Sequence, residues 1–252
     1  MMKVNFSKKL LLGAATLTGV VVFASSVAFA QQKPVKNFCT DLPAISMKIT
    51  SRLDELQGQL ESERTARGQR LTESRAARTA ERTQNRTQVD ALRAGQIGAL
   101  EASAKTDTQD KAIAAFKTSV ASAIAVRRGA ADAAVGTFER GVDQAITSRK
   151  GSVDSAVITF KTSVVSVISQ ATAACGRVND AITLHRDFVD GLRRVREKME
   201  ADRLAIEKVQ IPVDALLMAR HNAINKAEAD FAAAIIKAHA ALKVGFGEPL
   251  SN

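Results

Sequence analysis

The chain has 252 residues, a formal net charge of +10 and 46% hydrophobic residues, with ten Phe but no Trp or Tyr. This apolar content excludes a disordered polyelectrolyte, and two Cys are too few for a disulfide-rich miniprotein or a zinc module. Abundant Ala, Arg, Lys, Glu and Gln, with only four Pro, favour helix along most of the chain.

The first thirty residues have the pattern of a secretory signal peptide. Three lysines precede an apolar stretch over residues 10–27, and residues 28–30 read Ala-Phe-Ala, a small-x-small cleavage sequence. Cleavage removes three Lys and no acidic residue, so +10 minus 3 leaves an expected mature charge of +7. We therefore expect an exported, soluble protein that is periplasmic, cell-surface or extracellular. The alternative is a retained anchor, because the apolar stretch is nearly long enough to span a bilayer.

Beyond a polar linker at residues 31–43, the pattern predicts a single helical domain over 44–252. Its helices are expected at about 44–103, 109–174 and 181–244. Their similar lengths and short connections predict an all-α fold, an elongated antiparallel bundle or coiled coil of three long helices.

Local sequence signals mark the ends of these helices. Thr106-x-x-Gln109 fits a capping box, so a helix should begin there. Gly176 can end the second helix, and the polar residues after it can cap the third. Pro212 should kink or split the third helix, because proline removes a backbone donor and crowds the preceding turn.

The second helix carries an internal repeat of eleven residues. From Phe116 it reads FKTSVASAIAV, RRGAADAAVGT, FERGVDQAITS, RKGSVDSAVIT and FKTSVVSVISQ. Eleven residues make three helical turns, so the recurrent Val, Ile and Ala form a nearly straight apolar stripe. Phe and Arg alternate at the first repeat position. This alternation indicates either a periodic ligand surface, or Phe rings in the helix seam with Arg stems laid along it.

The apolar residues of the other helices should pack against this stripe. In the first helix they are Ile49, Leu53, Leu56, Leu60, Val89, Leu92, Ile97 and Leu100. In the third they are Ile182, Phe188, Leu192, Val195, Met199, Ile206, Leu217, Ile224, Phe231 and Ile235.

The two cysteines test the pairing of the first two helices. If the chain folds back near residue 107, the numbers of opposing residues should add up to about 214, as those of Cys39 and Cys175 do. Export favours a disulfide, so we predict a Cys39–Cys175 bridge. The alternative is two free thiols, with Cys175 packed in the stripe. The same register places Arg75 opposite Glu139 and Arg82 opposite Asp132.

The stretch from Glu61 to Gln88 is rich in arginine, with seven Arg, four Glu and one large apolar residue. Five of its arginines share roughly one helical face and form a candidate polyanion-binding face: Arg67, Arg75, Arg78, Arg82 and Arg86. They suit an anionic polymer or a membrane surface. The alternative is a solvated face held by ion pairs. Without Tyr or Trp to stack on bases, we expect no sequence-specific nucleic-acid recognition.

No catalytic, cofactor-binding or metal-binding motif is present in the sequence. Its three histidines, His185, His221 and His239, stand singly and are expected on the surface or in the helix seam. We therefore predict a non-enzymatic structural or interaction protein of the cell envelope or surface, without a cofactor. Its partner would be an unknown protein or envelope component, or a second copy of the chain.

Three resemblances accompany this prediction. The 22-residue Phe/Arg period is similar to the amphipathic repeats of exchangeable apolipoproteins, which coat lipid. The small, basic, helix-rich composition resembles Skp/OmpH periplasmic chaperones, which hold unfolded clients. The Ala-rich elevens with recurrent AFK and RR/RK elements look like a group of uncharacterised secreted bacterial helical-repeat proteins of no known activity. The alternative function is therefore a binding protein for unfolded clients, lipid or anionic polymer.

Overall fold

The computed structural model describes residues 37–177, 180–206 and 210–247. This described part of the chain is all-helical, with 95% helix and no strand. The predicted signal peptide and residues 31–36 of the predicted linker lie outside it. Its four helices are α1 (Phe38–Ser103), α2 (Asp107–Cys175), α3 (Ala181–Ala205) and α4 (Gln210–Gly245).

The first helix begins at Phe38 rather than at about Ala44. The backbone amides of residues 40 and 41 donate to the Asn37 carbonyl at 3.0 and 3.1 Å, which starts the helix there. Phe38 is fully buried and Leu42 is 2% exposed, so apolar packing holds the first turns. Pro43, the last residue of the predicted linker, consequently lies inside the helix.

The predicted capping residues start the second helix. The Gln109 amide donates to the Thr106 hydroxyl at 3.3 Å. In return, the Lys105 amide donates to the Gln109 side-chain oxygen at 2.7 Å. The bond from the Gln109 side chain therefore reaches Lys105, the residue before the cap. Thr106 is the N-cap, so the first helical residue of α2 is Asp107.

The third predicted helix is two helices in the structure. Asp180 caps α3, since its carboxylate accepts from the Thr183 hydroxyl and from the amides of Thr183 and Ile182, and these bonds lower the pKa of Asp180. Helix α3 ends at Ala205, and α4 begins at Gln210. Pro212 lies in the first turn of α4, where its missing N–H has no partner to lose.

The helices group into two compact units. The disulfide unit contains the described residues up to 70 and those from 146 to 210. The turn unit contains residues 71–145 and the described residues from 211 onwards. Both units draw on α1 and α2, to which the disulfide unit adds α3 and the turn unit adds α4.

The disulfide unit has the larger apolar core. All four of the apolar residues expected at the beginning of the first helix are buried there, together with the repeat residues of α2 and the apolar face of α3. The core includes Ile49, Leu53, Leu56, Leu60, Val153, Val157, Phe160, Val164, Phe188, Leu192 and Met199. The outer residue Ile182 was expected to pack and instead is 54% exposed.

The turn unit has a small core, built mainly by α2 and α4. Val120 and Ile124 cluster with Ala238, and no described residue of α1 in this unit is buried. The expectation that Val89 and Leu92 pack in the core is wrong, since they are 49% and 70% exposed. The reason is that charged side chains occupy the neighbouring positions of α1 that face α2.

The predicted disulfide joins the beginning of α1 to the end of α2. Cys39 and Cys175 are bonded, with their Cα atoms 5.6 Å apart and 136 residues between them in sequence. This Cα separation lies in the normal range for a disulfide. The bridge therefore replaces the alternative of two free thiols.

Removal of the bridge should destabilise the disulfide unit. The Cys39→Ser/Cys175→Ser variant should lose about 3–5 kcal/mol of unfolding free energy, because the bridge closes a long loop in the unfolded chain. Urea unfolding followed by circular dichroism measures this difference. Reductant should lower the stability of the natural chain and leave the variant unchanged. Equal stability of the two proteins under oxidising conditions would contradict the expectation.

Candidate functional site

Arginines of α1 pair with aspartates of α2 at steps of eleven residues on both helices. The pairs are Arg64–Asp154 in the disulfide unit, and Arg75–Asp143 and Arg86–Asp132 in the turn unit. In the turn unit the α1 partner moves forward as the α2 partner moves back by the same step, so the two helices run antiparallel there. In the disulfide unit, Asp54–Lys161 followed by Arg64–Asp154 shows the same antiparallel order. We call the three arginine–aspartate pairs the arginine ladder.

The two pairs of the ladder in the turn unit are bidentate. Arg75 donates to both carboxylate oxygens of Asp143 at 3.0 and 2.9 Å, and Arg86 donates to both oxygens of Asp132 at 2.9 and 2.8 Å. Bidentate charge-assisted bonds fix geometry well. Because both aspartates keep about half of their side-chain surface exposed, each pair contributes only ~0–1 kcal/mol.

A further ion pair joins α1 to α2 with the partners exchanged, since Asp90 of α1 pairs with Arg128 of α2. Asp90 accepts two hydrogen bonds from Arg128, at 2.9 and 2.7 Å, and one from Arg93 of its own helix at 2.6 Å. These bonds lower the pKa of Asp90 to about 2. The hydrogen bonds from Arg86 likewise lower the pKa of Asp132. Both carboxylates are therefore held in the charged form by arginine.

Three arginines of the candidate polyanion-binding face contact α2. The expected Arg82–Asp132 pairing is present at 3.6 Å. Arg75 does contact residue 139, but at the Glu139 backbone carbonyl, 3.3 Å away. Its carboxylate partner is Asp143, one helical turn further along α2.

The other two arginines of the face bond within α1. Arg67 pairs with Glu63 one turn earlier, at 2.8 Å. Arg78 is exposed, and its Nε donates to the Ser74 carbonyl at 3.1 Å. Arg78 also helps to lower the pKa of Arg220 in α4, although burial of Arg220 is the larger cause. The charge of Glu139 acts on Arg220 in the opposite direction.

The Phe/Arg alternation of α2 meets the reverse alternation in α4. The Arg127 guanidinium lies 4.8 Å from the centroid of the Phe231 ring, and the Arg220 guanidinium lies 4.7 Å from that of Phe138. Both distances suit cation–π interactions. Partners on each helix are eleven residues apart, so at these positions the alternation packs α2 on α4.

Two of the three histidines pack against phenylalanine. His185 is buried beside Phe38, with 5.3 Å between ring centroids, and His239 lies 5.7 Å from Phe116. His221 is exposed. Among the described residues, no group of three His, Cys, Asp or Glu side chains could hold a metal ion.

Helix α2 also meets the length and composition criterion for a membrane span. Its most apolar 18-residue window has a mean hydropathy of 1.2, and 28% of that window is buried. Core helices of soluble proteins meet the same criterion, so it assigns no membrane to this helix.

The arginine ladder was not predicted, although its signal is present in the sequence. The three aspartates occupy the sixth position of successive elevens, and the three arginines have the same spacing in α1. Aligning these two series of residues predicts the register of α1 against α2.

No protein-family model, characterised protein or solved structure matches the chain.

The ion pairs of Asp90 should make the stability of the turn unit depend on pH. Because its pKa is lowered from 3.8 to about 2, the stability it contributes is present above about pH 4 and lost as the pH falls toward 2. Asp90→Asn should therefore be less stable than the natural chain at pH 7, and the difference should vanish near pH 2. Urea unfolding across this range measures it.

Asp230→Asn is the control, since it removes a carboxylate that pairs with Lys226 within one helix. A difference between Asp90→Asn and the natural chain that stays constant from pH 7 to 2 would contradict the assignment.

Proposed function

We propose that this chain is a non-enzymatic, exported structural or interaction protein of the cell envelope or surface. The observation that carries the proposal is the Cys39–Cys175 bridge between the ends of two long helices. Disulfides form and persist in oxidising compartments, so the bridge supports the export expected from the first thirty residues. A periplasmic, cell-surface or extracellular location is compatible with it.

Exposed apolar side chains support an interaction role. They occur on all four helices, where a partner could cover them. The most exposed are Met47, Leu92, Val126, Leu204, Met218 and Ile236. The partner we propose is another protein or an envelope component, or a second copy of the chain.

The fold we propose for this role is the elongated antiparallel bundle of three helical runs. The arginine ladder supports antiparallel pairing of α1 and α2 in the turn unit, and the Cys39–Cys175 bridge together with the Arg64–Asp154 pair supports it in the disulfide unit. With 66 residues, α1 alone would be ~99 Å long at 1.5 Å per residue. Small-angle scattering that gives a compact globule would exclude this arrangement. The likeness to secreted helical-repeat proteins stays a prediction.

Site-specific photocrosslinking tests the interaction role. Benzoylphenylalanine at Met218 or Ile236 should give a discrete covalent adduct in the cell envelope, because both side chains are about 70% exposed. The control position is Lys226, a polar exposed residue on the same helix. Adducts at all three positions would indicate random collision. A protein that remains in the cytosol with two free thiols would contradict the proposal.

A binding protein for an anionic polymer is the second candidate. The observation that favours it is the exposed Arg78 side chain, which lies among the arginines of the candidate face and makes its hydrogen bond to a backbone carbonyl and not to a carboxylate. Arg75 already pairs with Asp143, and Arg86 with Asp132. A polyanion would therefore compete with these two aspartates for the arginine side chains.

Neutralising those aspartates should strengthen polyanion binding. The Asp132→Asn/Asp143→Asn variant frees Arg75 and Arg86, so we expect several-fold tighter binding of a polyphosphate probe and a steeper dependence on salt. Fluorescence titration at two salt concentrations measures both effects. The control, Asp202→Asn/Asp230→Asn, makes the same change in net charge on α3 and α4. An equal gain in the control would show that net charge alone is responsible.

A further inference from the structure

An apolar groove runs between α2 and α3 in the disulfide unit. It has a volume of about 460 Å³, which lies in the range of small-molecule sites. Its lining is mostly apolar and includes Val167, Ala171, Leu184, Phe188 and Val195. All of its lining residues belong to α2 and α3, and no residue of α1 lines it.

Close packing of the two helices forms the floor of the groove. A Cβ atom added to Gly191 would lie 3.0 and 3.3 Å from the two methyl groups of Val167. Glycine therefore lets α3 approach α2 closely at this point. Leu184 and Phe188 are 8% and 5% exposed, so the floor is apolar and their side chains are fixed by packing.

The charges along the groove are distributed unevenly. Arg194 and Lys198 line the end nearer Ser163, and Asp187 lies about two helical turns earlier on α3. Lys198 is paired with Asp202, and Asp187 with Arg186. The Arg194 guanidinium is exposed and makes no ion pair or hydrogen bond with a described residue. One end of an apolar groove therefore presents an unneutralised cation.

The dimensions of the groove favour a thin ligand. From Leu184 to Lys198 it follows ~21 Å of α3, at 1.5 Å per residue. An α-helix is about 10 Å across, so it could place only one face in a groove of this volume. An extended peptide would leave its N–H and C=O groups against an apolar wall, at a cost of a few kcal/mol per unpaired group. A single hydrocarbon chain has neither difficulty.

We propose that this groove binds one long-chain fatty acid. The acyl chain lies over Val167, Ala171 and Phe188, and the carboxylate bonds to Arg194, with Lys198 beside it. The apolar floor supplies the contact area, and the cationic end fixes the direction of the ligand. This site is additional to the proposed interaction role and does not depend on it.

Titration of delipidated protein with a C16 fatty acid below its micellar concentration tests the site. The protein is prepared with its disulfide intact, and calorimetry should show saturable binding of one ligand per chain. Arg194→Glu should weaken binding at least about tenfold, because a charge-assisted hydrogen bond is replaced by repulsion. The matched control is Arg196→Glu, which changes an exposed arginine of the same helix outside the groove and should bind normally.

Two further measurements separate the contribution of the ligand's acyl chain to binding from that of its carboxylate head group. The neutral C16 alcohol should bind the natural protein more weakly than the acid and should be insensitive to Arg194→Glu. Ser163→Phe, which adds bulk at the cationic end, should weaken the binding of both ligands while circular dichroism shows an unchanged fold. Equal loss in Arg194→Glu and Arg196→Glu, or binding that does not saturate, would overturn the proposal.

Discussion

An eleven-residue step decides which side chains of this protein meet. Because eleven residues complete three helical turns, a position that faces a neighbour faces it again one step later. Arg of α1 meets Asp of α2 at this step, once in the disulfide unit and twice in the turn unit. In the turn unit, Phe and Arg of α2 also meet Arg and Phe of α4 at this step. The repeat thus sets the helix register through polar and aromatic contacts as well as through the apolar stripe.

The first helix changes its mode of packing along its length. In the disulfide unit it buries Phe38, Leu42 and the leucines up to Leu60, next to the covalent link. In the turn unit it offers arginine stems and charged heads to α2 instead. Apolar burial contributes ~1.5–3 kcal/mol per large side chain, whereas exposed ion pairs contribute ~0–1 kcal/mol. The two units therefore hold the same helix by interactions of different strength.

The sequence was sufficient to predict the helical class, the turn before α2 and the disulfide. Capping residues mark the turn locally, and the residue numbers of the two cysteines match the position of the turn. It was insufficient to predict the exposure of Val89 and Leu92, because the helical pattern does not show that charged side chains occupy the α1 positions that face α2. Pairing with Asp143 instead of Glu139 required the true register, which differs by one turn. The groove could not be predicted from the sequence, because it depends on the close approach of α3 to α2 at Gly191.

The weak packing of α1 in the turn unit has a consequence for local unfolding. No described side chain of α1 between residues 71 and 103 is buried, so its amides are protected mainly by the helix's own hydrogen bonds. Opening this segment exposes little apolar surface and breaks mainly ion pairs, which salt screens. Hydrogen exchange there should be faster than in the α1 turns beside the disulfide, and the difference should widen with ionic strength. The same helix would then contain both a slowly and a rapidly exchanging region.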